Sequence, residues 1–345
     1  MYALVDKICD AARRWEDPAF EARADATATT LDLDNTFTTE ALDFALDQLM
    51  GELTAERLQA WIGETSAPIP ETVAVLNAGN LPGVEFQDWL AVLLTGHRYV
   101  GVLSARSNAL LPAFVDTSEM GDWTSFSGFD EAIDRSDRLI ATGSDETIQT
   151  VRRNAVAAGI TRERILVRGT SSAVAVLSGS ESPTELIDLA EDCFLHEGLG
   201  CRSVAIVWTP VGTSPDRFLE AAATFRSVFP AHTSTAARLR MPKAMLEAVQ
   251  TPCAYADDLS FLVSRGRPEF CEACHVRWTE YSDTSEIIRW LAGTAGRVQL
   301  LATNSDAIAA AASAEAQVTR LGTTQRPAVD WRPDGIDTVR WLASR

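Results

Sequence analysis

Cys201 is flanked by Gly200 and Arg202 and follows Gly198 and Leu199. A glycine-rich stretch of this kind can expose a sulfur, and a neighbouring guanidinium favours thiolate over thiol, the form that attacks carbonyl carbon. Spacing alone leaves a second reading open, that of a small buried residue, which is a common use of free cysteine. Upstream, Asn77-Ala78-Gly79-Asn80-Leu81-Pro82 follows the apolar run Thr72 to Leu76, so a glycine turn carries the short amide of Asn80 just past a strand. Ser104 follows the run ending at Leu103, while Thr142, Gly143 and Ser144 follow Leu139 to Ala141 and open a helix. Backbone N–H groups at such a helix start can face a pyrophosphate, although each of these short stretches also fits an ordinary turn.

Other residues invite sharper chemistry and carry it less well. Cys271-Glu272-Ala273-Cys274-His275 has the spacing of a c-type haem attachment and of half a zinc site. Haem attachment calls for export, and zinc calls for further ligands that His97, His196 and His232 do not supply by spacing, so no metal is expected. The alternation around Ala273, His275 and Arg277 suits a strand. His196 is a conceivable base for Cys201, but it falls at the fraying end of a helix.

These residues need elements to hold them. Residues 1–65 place apolar side chains at helical spacing, as in Leu42, Ala45, Leu46 and Leu49, which predicts an N-terminal helical segment. From about residue 70 the pattern becomes β, α, β: Thr72 to Leu76, Val84 to Thr95, Tyr99 to Leu103. It continues with a strand at Leu139 to Ala141, a helix from about 146 to 158, and strands at Ile165 to Val167 and Ala173 to Leu177. Parallel sheet with crossover helices follows from this alternation. Ser182-Pro183-Thr184-Glu185 has the form of a capping box with proline at the first helical position, so a helix is expected from about 183 to 196, stopped by Gly198 and Gly200. Val204 to Trp208 then reads as a buried strand.

The chain has 345 residues, 46% of them hydrophobic, and a formal net charge of −18. That charge argues against nucleic acid or an anionic membrane as a partner. The basic residues number 30, of which only Lys7 and Lys243 are lysines, and neither lies in a candidate site, which argues against Schiff-base chemistry. Asp6 and Lys7 interrupt what would be the apolar core of a signal peptide, and no apolar run approaches the ~20 residues of a membrane span. A cytoplasmic location with six thiols is the expectation.

Several blocks occur together in one order: Ala78-Gly79-Asn80-Leu81-Pro82, Phe86-Gln87-Asp88-Trp89, Leu93-Leu94-Thr95-Gly96-His97, Leu103-Ser104, Ser172 to Leu177, Glu191-Asp192-Cys193-Phe194, Gly198-Leu199-Gly200-Cys201-Arg202, Gly322 to Gln325 with Pro327, and Asp334 to Thr338. Jointly they resemble the acyl-CoA reductases related to the bioluminescence fatty-acid reductase, within the aldehyde dehydrogenase superfamily. The resemblance implies an α/β, aldehyde-dehydrogenase-like fold with a Rossmann-type cofactor lobe and a second α/β catalytic lobe. It implies reduction of an acyl thioester to an aldehyde, with Cys201 accepting the acyl group and the Asn80 side chain donating to the thioester oxygen. Ser104, Arg106, Thr142, Gly143 and Ser144 are the candidate cofactor residues.

The chain also departs from the pattern. Val102 stands where the superfamily usually has lysine near the cofactor ribose. Ala105 replaces an acidic residue, while Arg98 and Arg106 lie near in sequence; NADPH is therefore expected over NADH, with NADH possible. Val167-Arg168-Gly169-Thr170 occupies the place of the glutamate base of hydrolytic aldehyde dehydrogenases. The expected organisation is a helical segment 1–65, a cofactor lobe 66–195, a catalytic lobe 196–320 and a closing segment 321–345, in a homo-oligomer. The acyl donor is acyl-CoA or an acylated partner enzyme. The alternative is a non-redox acyl-carrying or acyl-transfer protein using the same cysteine, and a third reading is an electron carrier at Cys271 and Cys274.

Overall fold

The computed structural model describes residues 2–63, 65, 69–294 and 296–344. Met1, Ser66 and Arg345, which bound three of the expected segments, lie outside the described residues. The chain forms two units: Met1–Asn35, Leu42–Thr170 and Ala328–Arg345 make the first, Thr36–Ala41 and Ser171–Pro327 the second.

The first unit is built on five short apolar runs: β1 (Thr72–Leu76), β2 (Arg98–Val102), β3 (Thr124–Phe126), β4 (Arg138–Thr142) and β5 (Ile165–Arg168). They pair in the order β3-β2-β1-β4-β5, all parallel. Every strand-to-strand connection contains a helix, as a parallel pairing requires. Side chains alternate between faces. Val73 and Val75 join a core with Trp15, Phe86, Trp89 and Phe114, whereas Ala74, Leu139 and Ala141 join one with Ile148, Val151 and Ala155. Both faces are covered, which is why the strands read as continuous apolar runs. On the first face the rings of Trp15, Phe86 and Trp89 each meet Phe114 edge to face, with centroids 5.2 to 5.8 Å apart. The N-terminal segment supplies the helices Tyr2–Trp15, Glu21–Leu31, Thr39–Glu52 and Ala55–Ile62.

The second unit holds β6 (Ser172–Val176), β7 (Val204–Pro210), β8 (Cys253–Tyr255), β9 (Leu262–Arg265), β10 (His275–Tyr281), β11 (Val298–Ala302) and β12 (Gln317–Thr319). Their order is β12-β11-β6-β7-β10-β9-β8, parallel except for the antiparallel edge pair β8 and β9. The helix Pro183–Phe194 links β6 to β7 and begins with the expected capping box: Ser182 Oγ accepts from the Glu185 amide at 3.2 Å and the Ser182 amide donates to Glu185 at 2.7 Å. Phe194, Phe218 and Trp278 stack in sequence at 6.0 and 5.6 Å. Among the described residues no helix is long and apolar enough to cross a membrane.

Candidate active site

In the first unit, Leu76 of β1 registers with Val102 of β2 on one side and with Ala141 of β4 on the other. The turns after these three strands therefore emerge side by side at the carboxyl edge of the sheet. This is the edge where open α/β sheets build ligand sites, next to the central strand from which the order runs both ways. Asn77 fastens the first turn: its side-chain amide donates to Tyr99 Oη at 2.8 Å and to Val75 O at 3.2 Å, and its backbone amide donates to Val102 O. Asn80, three residues on, is half-buried.

Gly79 explains how close the first two turns come. A Cβ there would lie 2.0 Å from Ser104 Oγ and 2.5 Å from Ser104 Cβ, so only glycine fits. Ser104 Oγ accepts from the Arg106 amide at 3.3 Å, and Arg106 O accepts from Asn35 Nδ2 at 3.0 Å. The Arg106 main chain is thus tied down while its side chain is exposed. Arg98 is different: it opens β2 at the opposite edge, donates to Asp122 O and lies over Trp123, so it is not available to a phosphate beside Ser104.

At the third turn the Gly143 amide donates to Arg168 O at 3.1 Å, and Ser144 Oγ caps the helix Asp145–Ala157 by accepting from the Thr147 amide at 3.3 Å. Thr142 and Gly143 are half-buried, and Asp145 turns toward the Thr170 amide at 2.9 Å. Hydroxyls, a glycine and an exposed arginine at one carboxyl edge suit the phosphates and ribose of a dinucleotide. The acidic first turn of that helix, Asp145 and Glu146, works against anion binding there.

In the second unit, the helix Pro183–Phe194 runs into three consecutive left-handed residues, His196 (φ 53°), Glu197 (φ 57°) and Gly198 (φ 63°). Gly200 to Ser203 then form a tight turn, with the Ser203 amide donating to Gly200 O at 2.9 Å and Ser203 Oγ accepting from the Gly200 amide at 3.1 Å. Cys201 is the second residue of that turn and is half-exposed, immediately before the buried strand β7. Gln325 Nε2 also donates to Ser203 Oγ at 3.4 Å.

The groups around Cys201 are polarised. Burial lowers the Arg202 pKa from its ordinary value, and the Cys201 charge raises it, so the two side chains interact electrostatically. His196 is pushed down to about 3, first by burial and then by Arg202, which keeps the imidazole neutral and a poor proton acceptor. Burial raises the pKa of the other five cysteines: Cys193 well above its ordinary value, Cys274 to about 12, and Cys9, Cys253 and Cys271 in the same direction.

The side chains of the Cys271 to His275 stretch go to separate partners. Cys271 Sγ meets Glu269 O and Arg277, Cys274 Sγ meets Arg226 and Glu197, and His275 Nε2 pairs with Ser264 Oγ at 2.7 Å. His275 opens β10, which accounts for the alternation in the sequence.

Blocks far apart in sequence meet within each unit. Asp192 accepts from the amides of Gly322 and Thr324 at 2.7 and 2.9 Å and from Thr324 Oγ1 at 2.8 Å. Arg168 donates to both oxygens of Asp88, at 2.9 and 2.6 Å, and to Thr338 Oγ1 at 2.8 Å. Sequence reasoning singled out neither these pairings nor the roles of Ser203 and Gln325. The only signal was that Asp192, Asp88, Gln325 and Thr338 belong to the blocks quoted above.

No protein-family model and no curated protein sequence matches the chain. Solved structures do. Aldehyde dehydrogenase 21 from Physcomitrella patens, in complex with the reaction product succinate, superposes with a TM-score of 0.71 at 14% identity, covering 99% of this chain and 82% of that one. An NAD-dependent benzaldehyde dehydrogenase from Corynebacterium glutamicum gives 0.70 at 13% identity, over 94% and 82%. The NAD+ complex of an aldehyde dehydrogenase from Bacillus cereus gives 0.68 at 14% identity, over 92% and 75%. The fold is aldehyde-dehydrogenase-like, as the sequence resemblance implied.

Proposed function

We propose that the protein reduces an acyl thioester to an aldehyde through an acyl group carried on Cys201. The observation that carries this reading is the placement of Cys201: half-exposed on a tight turn, coupled to Arg202, while burial holds the remaining cysteines as thiols. A thiolate at Cys201 attacks the thioester carbon, forming a C–S bond, and the tetrahedral oxyanion collapses with loss of the carrier thiol, which takes up a proton. Asn80 is proposed as a donor to that oxygen through its side-chain amide, as the resemblance implies. Ser104, Arg106, Thr142, Gly143 and Ser144 would hold a nicotinamide dinucleotide, which when bound would supply hydride; the acyl group on Cys201, having gained that hydride and a proton, would leave as the aldehyde when its C–S bond breaks and the Cys201 thiol returns.

Support for a dinucleotide comes from the carboxyl edge of the first sheet, where Ser104, Arg106, Thr142, Gly143 and Ser144 gather, and from the NAD+ bound by the Bacillus cereus neighbour. Val167-Arg168-Gly169-Thr170 offers no carboxylate where the resemblance places the glutamate base of a hydrolytic enzyme, and Arg168 within it is committed to Asp88, which favours reduction over hydrolysis. Acyl-CoA or an acylated partner enzyme is the proposed donor, and the active form is proposed to be a homo-oligomer.

The test is intact-protein mass spectrometry after incubation with acyl-CoA of several chain lengths, alongside NADPH and NADH oxidation. A label mapped to Cys201, lost in Cys201→Ser, with matching nicotinamide oxidation is expected. A label at Cys201 without nicotinamide consumption for any donor gives the acyl-carrying alternative instead.

A further inference from the structure

Glu197 lies four residues before Cys201 and is 2% exposed, with its backbone in the left-handed region. That region is disfavoured for a residue with a long side chain, and its left-handed neighbour His196 adds to the strain. Such conformations persist where the surroundings over-determine them.

The surroundings here are specific. Glu197 Oε1 pairs with Arg226 Nη1 at 3.1 Å, while Oε2 accepts from Thr235 Oγ1 and from Cys274 Sγ and lies 3.8 Å from Arg238 Nη2. Arg226 is itself fixed, donating to Ser260 O at 3.2 Å, Phe229 O at 3.4 Å and Cys274 Sγ at 3.2 Å. The next residue, Gly198, closes the remaining space: a Cβ there would lie 2.8 Å from Cys274 N and 3.1 Å from Cys193 O. Cys274 is left-handed as well, at φ 63°. Helices Asp216–Val228 and Ser234–Ala248 and the segment before β10 therefore converge on one buried carboxylate, whose backbone sets the path of the chain into the Gly200 to Ser203 turn.

We propose that Glu197 is a positioning residue for Cys201, holding the left-handed run that aims the turn carrying the thiol. This rests on Cys201 being the nucleophile proposed above. Glu197 acts through the backbone between them. An exposed glutamate in this place would leave His196 and Glu197 free to relax to right-handed geometry and move the turn.

The experiment compares Glu197→Ala and Glu197→Gln in the full chain, reading the pH profile of Cys201 alkylation by iodoacetamide and, separately, kcat and KM with acyl-CoA. In Glu197→Ala the apparent thiol pKa of Cys201 shifts by about half a unit or more. The kcat falls by about tenfold or more while KM stays within about threefold, the signature of misplacement and not of lost binding. Glu197→Gln, which keeps one carbonyl oxygen to accept from Arg226 and whose Nε2 can donate to the reoriented Thr235 hydroxyl, returns most of both. Should Glu197→Ala fail to fold, Thr235→Val removes one donor to the same carboxylate and gives a smaller shift in the same direction. An unchanged alkylation profile in a folded variant overturns the proposal. A displaced profile in a protein whose parent never turns over a thioester supports the positioning and defeats the reductase reading.

Discussion

Ser107 Oγ reaches Glu85 Oε1 at 3.4 Å, and Glu85 Oε2, in the same buried carboxyl, meets no hydrogen-bond partner among the described residues. Burial pushes this acid up from 4.5 to about 7, against the smaller pull of its own backbone amide and of Ser107. A folded pKa above the unfolded one means the folded state binds the proton more tightly. Stability from this group is therefore full below about pH 4.5 and is lost as pH rises to about 7. Glu85→Gln is expected to stabilise the protein by about 2 to 3 kcal/mol at pH 8 and by little at pH 4.5. Urea unfolding at the two pH values measures it, and an equal gain at both would refute the ionisation account.

Gly79→Ala should be felt at Ser104. Because the new Cβ would meet both side-chain atoms of Ser104, rotating the hydroxyl does not relieve the overlap and the turn must move. A loss of about 1 to 3 kcal/mol in thermal unfolding is expected, as for other overpacked sites, together with weaker nicotinamide nucleotide binding by calorimetry. Adding Ser104→Gly should restore much of the stability. Failure of that rescue would mean the strain lies elsewhere.

Arg106→Ala is expected to narrow any preference for NADPH over NADH by less than about tenfold. The guanidinium is exposed, so solvent screens its contact with a 2′-phosphate and its share is about 1 kcal/mol or less. Arg98→Ala should leave the ratio unchanged, since that side chain lies at the other edge of the sheet. The kcat/KM ratio for the two cofactors reads both variants.

Asn80→Ala is expected to lower kcat for thioester reduction about a hundredfold to a thousandfold, the range found on removing one oxyanion donor. Cys201 alkylation by iodoacetamide, which develops no carbonyl oxyanion, should change little. A parallel loss of both would point to a disturbed fold.

The sequence made the first sheet readable because its strands are buried on both faces: β1 falls on Thr72–Leu76 as expected, and β2, β4 and β5 within a residue of their expected ends. The strand β3 was not visible, since Thr124-Ser125-Phe126 is short and partly polar at the sheet edge. The capping box before Pro183–Phe194 was readable because Ser182 and Glu185 are three residues apart. Glu197 was not, because Arg226, Thr235 and Cys274 lie 29, 38 and 77 residues away. Glu85 was not singled out in sequence, and only packing shows that it is buried. Cys201 and Asn80 were singled out by glycine turns, which are local; whatever joins distant segments left no local trace.

Unit one is interrupted in sequence, and this bears on how the molecule comes off the ribosome. Residues 328–344 supply acceptors for groups made much earlier: Trp341 O and Ser344 O for Arg138, Thr338 Oγ1 for Arg168, Trp331 O for Gln87 and Leu342 O for His97. All of Ser171–Pro327 is translated before them. During that interval two buried arginines and a histidine lack acceptors that their final environment supplies, so the first unit waits for its last segment although all five of its strands have been made, while the second sheet can already close. The nascent chain is thus expected to complete its second half before its first, contrary to the usual vectorial order.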